Sequence, residues 1–362
     1  MLLQQLPRAD AQQSLERCQI CGADEEVHAC LQAIPSSLLT LQDPRIDSVV
    51  AEHYILEEFM CENSTSLVYK ARHQLFHTQV AVKISKDSAV HDPLSVLRTS
   101  RAALIAVRLE HPNIVRCVDF NRQADQSAAL VMEWAHGIPL SQLIAQEISL
   151  TPLRALNLLE GLCEGLRYGQ SQGVNHINLK PNGIIVASMN GCEQPRLLDF
   201  GLMKMLGPHT LETTLTSQHF KYASPEEQLG EPSDQRSTIY SLGMIFLDML
   251  TGLVDSFNSG VGSNAKMNIP ALVKIYPQMR EAPLLDNIVS TCLAVKPSDR
   301  FQNIEDLSAA VSEAKNELER MAREEEFEGD QQLATTPKFL KIGLILLVMA
   351  ICASVLLLFA SS

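Results

Sequence analysis

Short runs that alternate apolar and polar positions dominate the chain from residue 54 onward. Tyr-Ile-Leu-Glu-Glu-Phe-Met (54–60), Leu-Val-Tyr-Lys-Ala-Arg-His (67–73) and Thr-Gln-Val-Ala-Val-Lys-Ile (78–84) read as strands. Residues 94–110 change period and place Leu97, Ala102, Ile105, Ala106 and Leu109 on one side of a helix, and a further apolar strand is predicted at 129–133. Beyond it the spacing is mostly helical, over 139–146, 151–171, 237–252, 284–294 and 303–322. Thr151-Pro152 supplies an N-cap followed by a first-turn proline. No internal repeat is present. Five strands with one helix, then a helical part, predict an α+β plan with a cleft between the two.

The helix at 303–322 carries apolar residues at Ile304, Leu307, Val311, Ala314, Leu318 and Met321. This spacing fits a core-facing helix that runs outward, or a coiled-coil seam of under three heptads. Residues 323–337 are acidic and read as a solvated linker. An uncharged run then fills 342–360, preceded by Lys338 and Lys341. As a helix it would be roughly 28 Å long, enough for the hydrocarbon core of a bilayer. The expected topology is a cytoplasmic body on a single-pass C-terminal membrane anchor, with the lysines on the cytoplasmic side. The opening residues have no basic start or sustained apolar core, so no secretory signal is expected.

Composition narrows the function. Hydrophobic residues at 46% and charged residues at 20% suit a folded domain, and a net charge of -13 argues against nucleic-acid partners. Nine cysteines without a dense framework suit reduced thiols. Residues 1–50, with Pro7, Pro35 and Pro44, form a mixed segment. Within it Cys18, Cys21, His28 and Cys30 have the donors for a tetrahedral zinc site, although free thiols or a redox dithiol would give the same pattern.

Six ordered stretches resemble protein kinases, particularly the bacterial serine/threonine type. Val80-Ala81-Val82-Lys83 resembles the strand with the phosphate-binding lysine, and Asp199-Phe200-Gly201 the metal-binding segment. His111-Pro112-Asn113-Ile114-Val115 resembles the stretch after the first-lobe helix. Ser224-Pro225-Glu226, Ile239-Tyr240-Ser241-Leu242-Gly243 and Arg300 complete the series. The resemblance implies a two-lobed fold over 54–315, with a β-rich lobe at 54–135 and a helical lobe at 136–315. An acidic extension and linker (316–341) and a transmembrane helix (342–360) would follow.

It also implies which residues would meet ATP and magnesium: Lys83, the hinge at Glu133 and Ala135 after Met132, Lys180, and Asp199 as a magnesium ligand. Several working positions depart from the family. The glycine-loop positions hold Cys61, Asn63 and Ser66, so close backbone approach to phosphate is lost. No carboxylate lies in 94–109 to pair with Lys83, and Ala102 stands where the family has glutamate. The catalytic loop reads His176-Ile177-Asn178-Leu179-Lys180-Pro181-Asn182-Gly183. Asn178 replaces the proton-accepting aspartate, Gly183 the second metal ligand, and Ile177 the arginine that reads a loop phosphate. An amide takes no proton at neutral pH, and losing a placed base costs about 10²–10⁴ in rate. His219 and Thr238 replace residues that contact and support the loop.

The retained frame and missing charge-handling groups imply a membrane-anchored pseudokinase that engages a protein partner. An atypical active serine/threonine kinase and a nucleotide-independent membrane adaptor are the alternatives.

Overall fold

The computed structural model describes residues 43–62, 66–86, 105, 107–123, 127–174, 179–189, 191–198, 221–253, 272 and 282–335. The chain divides into a unit at 1–312 and a unit at 313–362. The proposed zinc ligands Cys18, Cys21, His28 and Cys30, the apolar run 342–360, and nearly all of the expected helix at 94–110 lie outside the described residues.

A six-stranded antiparallel sheet forms the first lobe. Its strands are β1 (Val49–Val50), β2 (Tyr54–Glu62), β3 (Ser66–His73), β4 (Gln79–Ser85), β5 (Cys117–Arg122) and β6 (Ala128–Glu133), in the order β1-β2-β3-β4-β6-β5. The period-two pattern explains its two faces. Val80, Val82 and Ile84 of β4 join Tyr54, Leu56, Tyr69, Ala71, Ala129 and Val131 in the core on one face. The alternate residues, Ala81 and Lys83, face the other way. There Leu130 and Met132 pack with Val115, Cys117 and Ala128, and with the half-buried Ala81, Phe120, Ala135 and Leu198.

After β6 the chain turns at Gly137, whose φ of +150° and position over β8 leave no room for a side chain. A Cβ there would sit 2.4 Å from the Val186 carbonyl oxygen. The second lobe then builds β7 (Ile138–Pro139), α1 (Leu140–Glu147), α2 (Pro152–Ser171), β8 (Ile184–Met189), β9 (Cys192–Leu197), α3 (Pro225–Gln228), α4 (Gln235–Thr251), α5 (Ala282–Cys292) and α6 (Ile304–Thr335). Strands β7, β8 and β9 make a small sheet.

Helix α4 is the hub. Every residue from Ser237 to Thr251 is buried, a pattern expected of a helix sheathed on all sides. Asp234 caps its start by accepting from the Arg236 amide, and Gly252 closes it in the left-handed conformation. Gly243 permits close approach to α5, because a Cβ there would lie 2.4 Å from the Cys292 Cβ.

Helix α6 departs from expectation. Its early stripe is buried at Ile304, Leu307 and Val311, which favours the core-facing reading over a coiled-coil seam. The helix runs on to Thr335, where a linker was expected from 323. Glutamate, alanine, arginine and glutamine are strong helix formers. In the second unit, Arg320 also pairs with Glu317 at 2.5 Å and Glu324 at 3.4 Å, three and four residues away. Among the described residues no helix is long and apolar enough to cross a membrane.

Candidate functional site

The sheet register builds the phosphate end of the cleft. Cys61 pairs with Val68, Val68 with Lys83, and Lys83 with Leu130. Directly paired residues project from the same face, so Cys61 and Lys83 lie two strands apart on one side, about 10 Å by strand spacing. Burial raises the Cys61 thiol pKa, while the charges of Lys83 and Lys180 pull it back down. Lys180 belongs to the second lobe, so ammonium groups from both lobes act on one thiol. Next to it, Glu62 at the end of β2 pairs with Lys86 at 2.5 Å. A carboxylate therefore stands beside the place where the family's loop covers phosphate.

The adenine end follows Met132, which is buried. Ala135 and Leu198, with Ala81 and Phe120, are half-buried and pack against the inner cluster that contains Met132. Lys70 lies over the Trp134 ring, 5.4 Å from its centre. At Glu133 the structure adds to the sequence a role for the side chain. One carboxylate oxygen accepts from the Arg116 amide at 2.9 Å and from the guanidinium of Arg196, in a short ion pair. The Glu133 amide donates to the Arg116 carbonyl at 3.0 Å.

The catalytic loop is described from Leu179 onward. Asn178 and Asp199 lie outside the described residues, as do 63–65 and 201–220. Leu179 and Pro181 are buried and set the loop against the lobe. The Gly183 amide donates to the Lys180 carbonyl at 2.9 Å, and the Leu198 amide donates to the Gly183 carbonyl at 2.9 Å. This ties the loop to the residue just before Asp199. A Cβ added at Gly183 meets nothing within 4 Å, so the family's second metal-ligand position is roomy and carries no donor side chain.

The stretch 111–115 clasps β9 from the first lobe. The Asn113 side chain donates to the Pro195 carbonyl at 2.9 Å, the Leu197 amide donates to the Asn113 carbonyl at 2.8 Å, and His111 stacks on Tyr168. Burial lowers the His111 pKa; nearby Glu164 opposes this and Arg167 adds to it.

Below the cleft, Ser224 and Glu227 form a reciprocal capping box at the start of α3. The adjacent Glu226 makes a two-pronged pair with Arg300, at 2.7 and 2.8 Å, and also accepts from the Ser237 hydroxyl at 2.6 Å. Arg300 is fully buried and donates to the carbonyls of Ala294, Val295 and Arg236. Its guanidinium lies 4.9 Å from the centre of the Tyr240 ring. Both residues were visible in the sequence, but the bond between them was not. Thr238, at the altered support position, is buried one residue further along α4.

The residues fit a nucleotide better than they fit its metals. Half-buried apolar residues beside the expected hinge suit a purine, and two lysines near Cys61 suit phosphates. The metal side has a bare position at Gly183. Among the described residues no cluster of histidine, cysteine, aspartate or glutamate is arranged to hold a metal ion.

Comparison with known proteins gives the same frame. The family model described as "Protein kinase domain" matches residues 54–312. The chain is 28% identical over 289 residues to the serine/threonine-protein kinase pkn3 of Myxococcus xanthus, covering 77% of this chain and 53% of that protein. It is 29% identical over 278 residues to the serine/threonine-protein kinase PknB of Mycobacterium tuberculosis, covering 74% and 44%. It thus spans about half the length of the curated relatives it matches. Among solved structures, the PknI kinase domain of Mycobacterium tuberculosis (C20A_R136A double mutant) superposes with a TM-score of 0.59 at 22% identity, covering 74% of this chain and 98% of that one. That likeness supports the two-lobed fold. With the family match over most of its length, the chain belongs to the protein kinase family and resembles its bacterial serine/threonine members.

Proposed function

We propose that this chain is a pseudokinase that keeps a nucleotide-sized cleft, has lost efficient phosphoryl transfer, and serves as a regulatory or scaffolding partner for another protein at a membrane. The observation that carries the reading is the catalytic loop. Asn178 stands at the base position, and Gly183 offers open space where the family has a metal-binding side chain. Phosphoryl transfer rests on positioning and on spreading charge, so an absent base and an absent metal donor act on the same step. Glu62 beside the phosphate end works in the same direction. The membrane part rests on the apolar run 342–360 with Lys338 and Lys341 before it.

The full chain in vesicles, given labelled ATP, magnesium and generic protein substrates, is expected to show no transfer above an Asp199→Ala control. The double variant Asn178→Asp/Gly183→Asn is expected to raise transfer above both. Strong transfer by the unmodified chain, abolished by Lys83→Met, would refute the pseudokinase reading. Alkaline carbonate is expected to leave the full chain in the membrane pellet and to release a chain ending at 341. Release of both would refute the anchor.

One observation favours a second reading, an atypical active serine/threonine kinase. Lys83 and Lys180 still converge on the phosphate end from opposite lobes. The same transfer assay decides between the two. A nucleotide-independent adaptor, the remaining alternative, predicts no thermal shift with ATP whether or not magnesium is present.

A further inference from the structure

We infer that Arg196 is a positioning residue: through Glu133 it fixes the hinge against β9, so that the hinge and this strand of the second lobe move as one. Glu133 is the first hinge residue. Arg196 sits on β9, three residues before Asp199. Their ion pair joins residues 63 apart in sequence, one at the end of the first-lobe sheet and one in the second lobe.

The pair is embedded rather than dangling. Arg196 also donates to the Ile114 carbonyl at 3.3 Å, and the same Glu133 oxygen holds the Arg116 amide at 2.9 Å. Arg196 therefore grips the 111–115 clasp and the hinge together. Its side chain is 17% exposed and that of Glu133 31%, which makes the attraction stronger than at a fully wetted surface pair. The Arg196 Nε is buried without a hydrogen-bond partner among the described residues. An unsatisfied buried donor costs stability.

The strand leaves little slack to absorb a shift. Leu197 is bonded to Asn113, and Leu198 to Gly183. A displacement of Arg196 is thus passed to Asn113 and to Gly183 of the catalytic loop through main-chain bonds. The consequence for nucleotide binding rests on the reading proposed above, whereas the hinge geometry does not.

The test uses the full chain and two variants, Arg196→Met and Glu133→Gln. The amide of Glu133→Gln still accepts from Arg116 but loses the ion pair. Hydrogen exchange of residues 133–137 in the nucleotide-free protein is the first readout, and Trp134, the single tryptophan, supplies a second through acrylamide quenching. Both variants are expected to speed hinge exchange by about tenfold and to raise quenching, with exchange in α4 unchanged. The double variant is expected to do no more than Arg196→Met alone, since Glu133→Gln removes only the charge pairing that Arg196→Met already breaks, while Arg196→Met also loses the Ile114 carbonyl. Hinge exchange at the parent rate in Arg196→Met overturns the inference, as does a double variant whose effects simply add. ATP titration followed by Trp134 emission is the third readout, with about tenfold weaker binding expected in Arg196→Met. If the parent chain binds no ATP, the nucleotide clause of the proposed function fails, and the exchange readout still decides the role of Arg196.

Discussion

Replacing Arg300 with leucine should be among the most damaging single changes available in the second lobe. The guanidinium is fully buried and satisfies both oxygens of Glu226 and three main-chain carbonyls. Removing it leaves a carboxylate that is 9% exposed without its counter-ion, held only by neutral donors such as the Ser237 hydroxyl. Breaking a buried pair in this way costs about 3–5 kcal/mol. The same bonds set how the carboxyl titrates. Burial alone would raise the Glu226 pKa, but the bonds from Arg300 and Ser237 outweigh it and bring it from 4.5 to about 2. At about 2–4 °C per kcal/mol for a domain of this size, melting should fall by roughly 10 °C.

The sign of the pH dependence follows from the direction of the shift. Glu226 binds its proton less readily folded than unfolded. Its contribution is complete above pH 4.5 and is lost as the pH falls from 4.5 toward 2. Thermal or urea melts of the parent, Arg300→Leu and Glu226→Gln between pH 7 and pH 3 make the check. Glu226→Gln should lack that part of the acid slope. A melting point for Arg300→Leu within 2 °C of the parent, or acid curves that superpose for the parent and Glu226→Gln, would refute the reasoning.

Other expectations are more local. Lys83→Met should slow alkylation of Cys61 by iodoacetamide at pH 8, because losing a nearby cation raises the thiol pKa further; an unchanged rate would show that the two are not neighbours. Gly243→Val should cost about 1–3 kcal/mol in a urea melt, since its Cβ meets Cys292 at 2.4 Å. Gly183→Asn should leave stability within about 0.5 kcal/mol, because that side chain enters open space; a larger loss would mean that the loop packs more tightly than described.

Much of the frame was legible because it is written in local pattern. Alternation located β2, β3 and β4, and the motif Val80-Ala81-Val82-Lys83 placed the lysine on the cleft face, where the register then put it. The strand at Cys117–Arg122 was implied by the count of five but not located. Its run, Cys-Val-Asp-Phe-Asn-Arg, mixes polar residues into an edge strand whose exposed side needs no apolar pattern. The capping box at Ser224 and Glu227 had a readable signal in Ser-x-x-Glu.

What sequence withheld were pairings over long separations. Glu226 with Arg300, Glu133 with Arg196, and Asn113 with the Pro195 carbonyl join segments that only the folded chain brings together. At the hinge the sequence said nothing of the Glu133 side chain, whose partner lies 63 residues away. The helix through 323–335 was missed for a different reason. Acidic runs read as solvated linkers, yet glutamate-rich segments are also good helix formers, and the pattern alone does not separate the two.

The complete enclosure of α4 has a consequence for how the molecule is made. Its fifteen enclosed residues leave the ribosome well before α5 and Arg300 exist to cover them. During that interval a greasy rod is bare in the cell, and Glu226 waits 74 residues for its counter-ion. The nascent chain should therefore lean on holding chaperones late in synthesis, and a stop codon anywhere between 252 and 300 should yield an aggregate rather than a smaller working lobe.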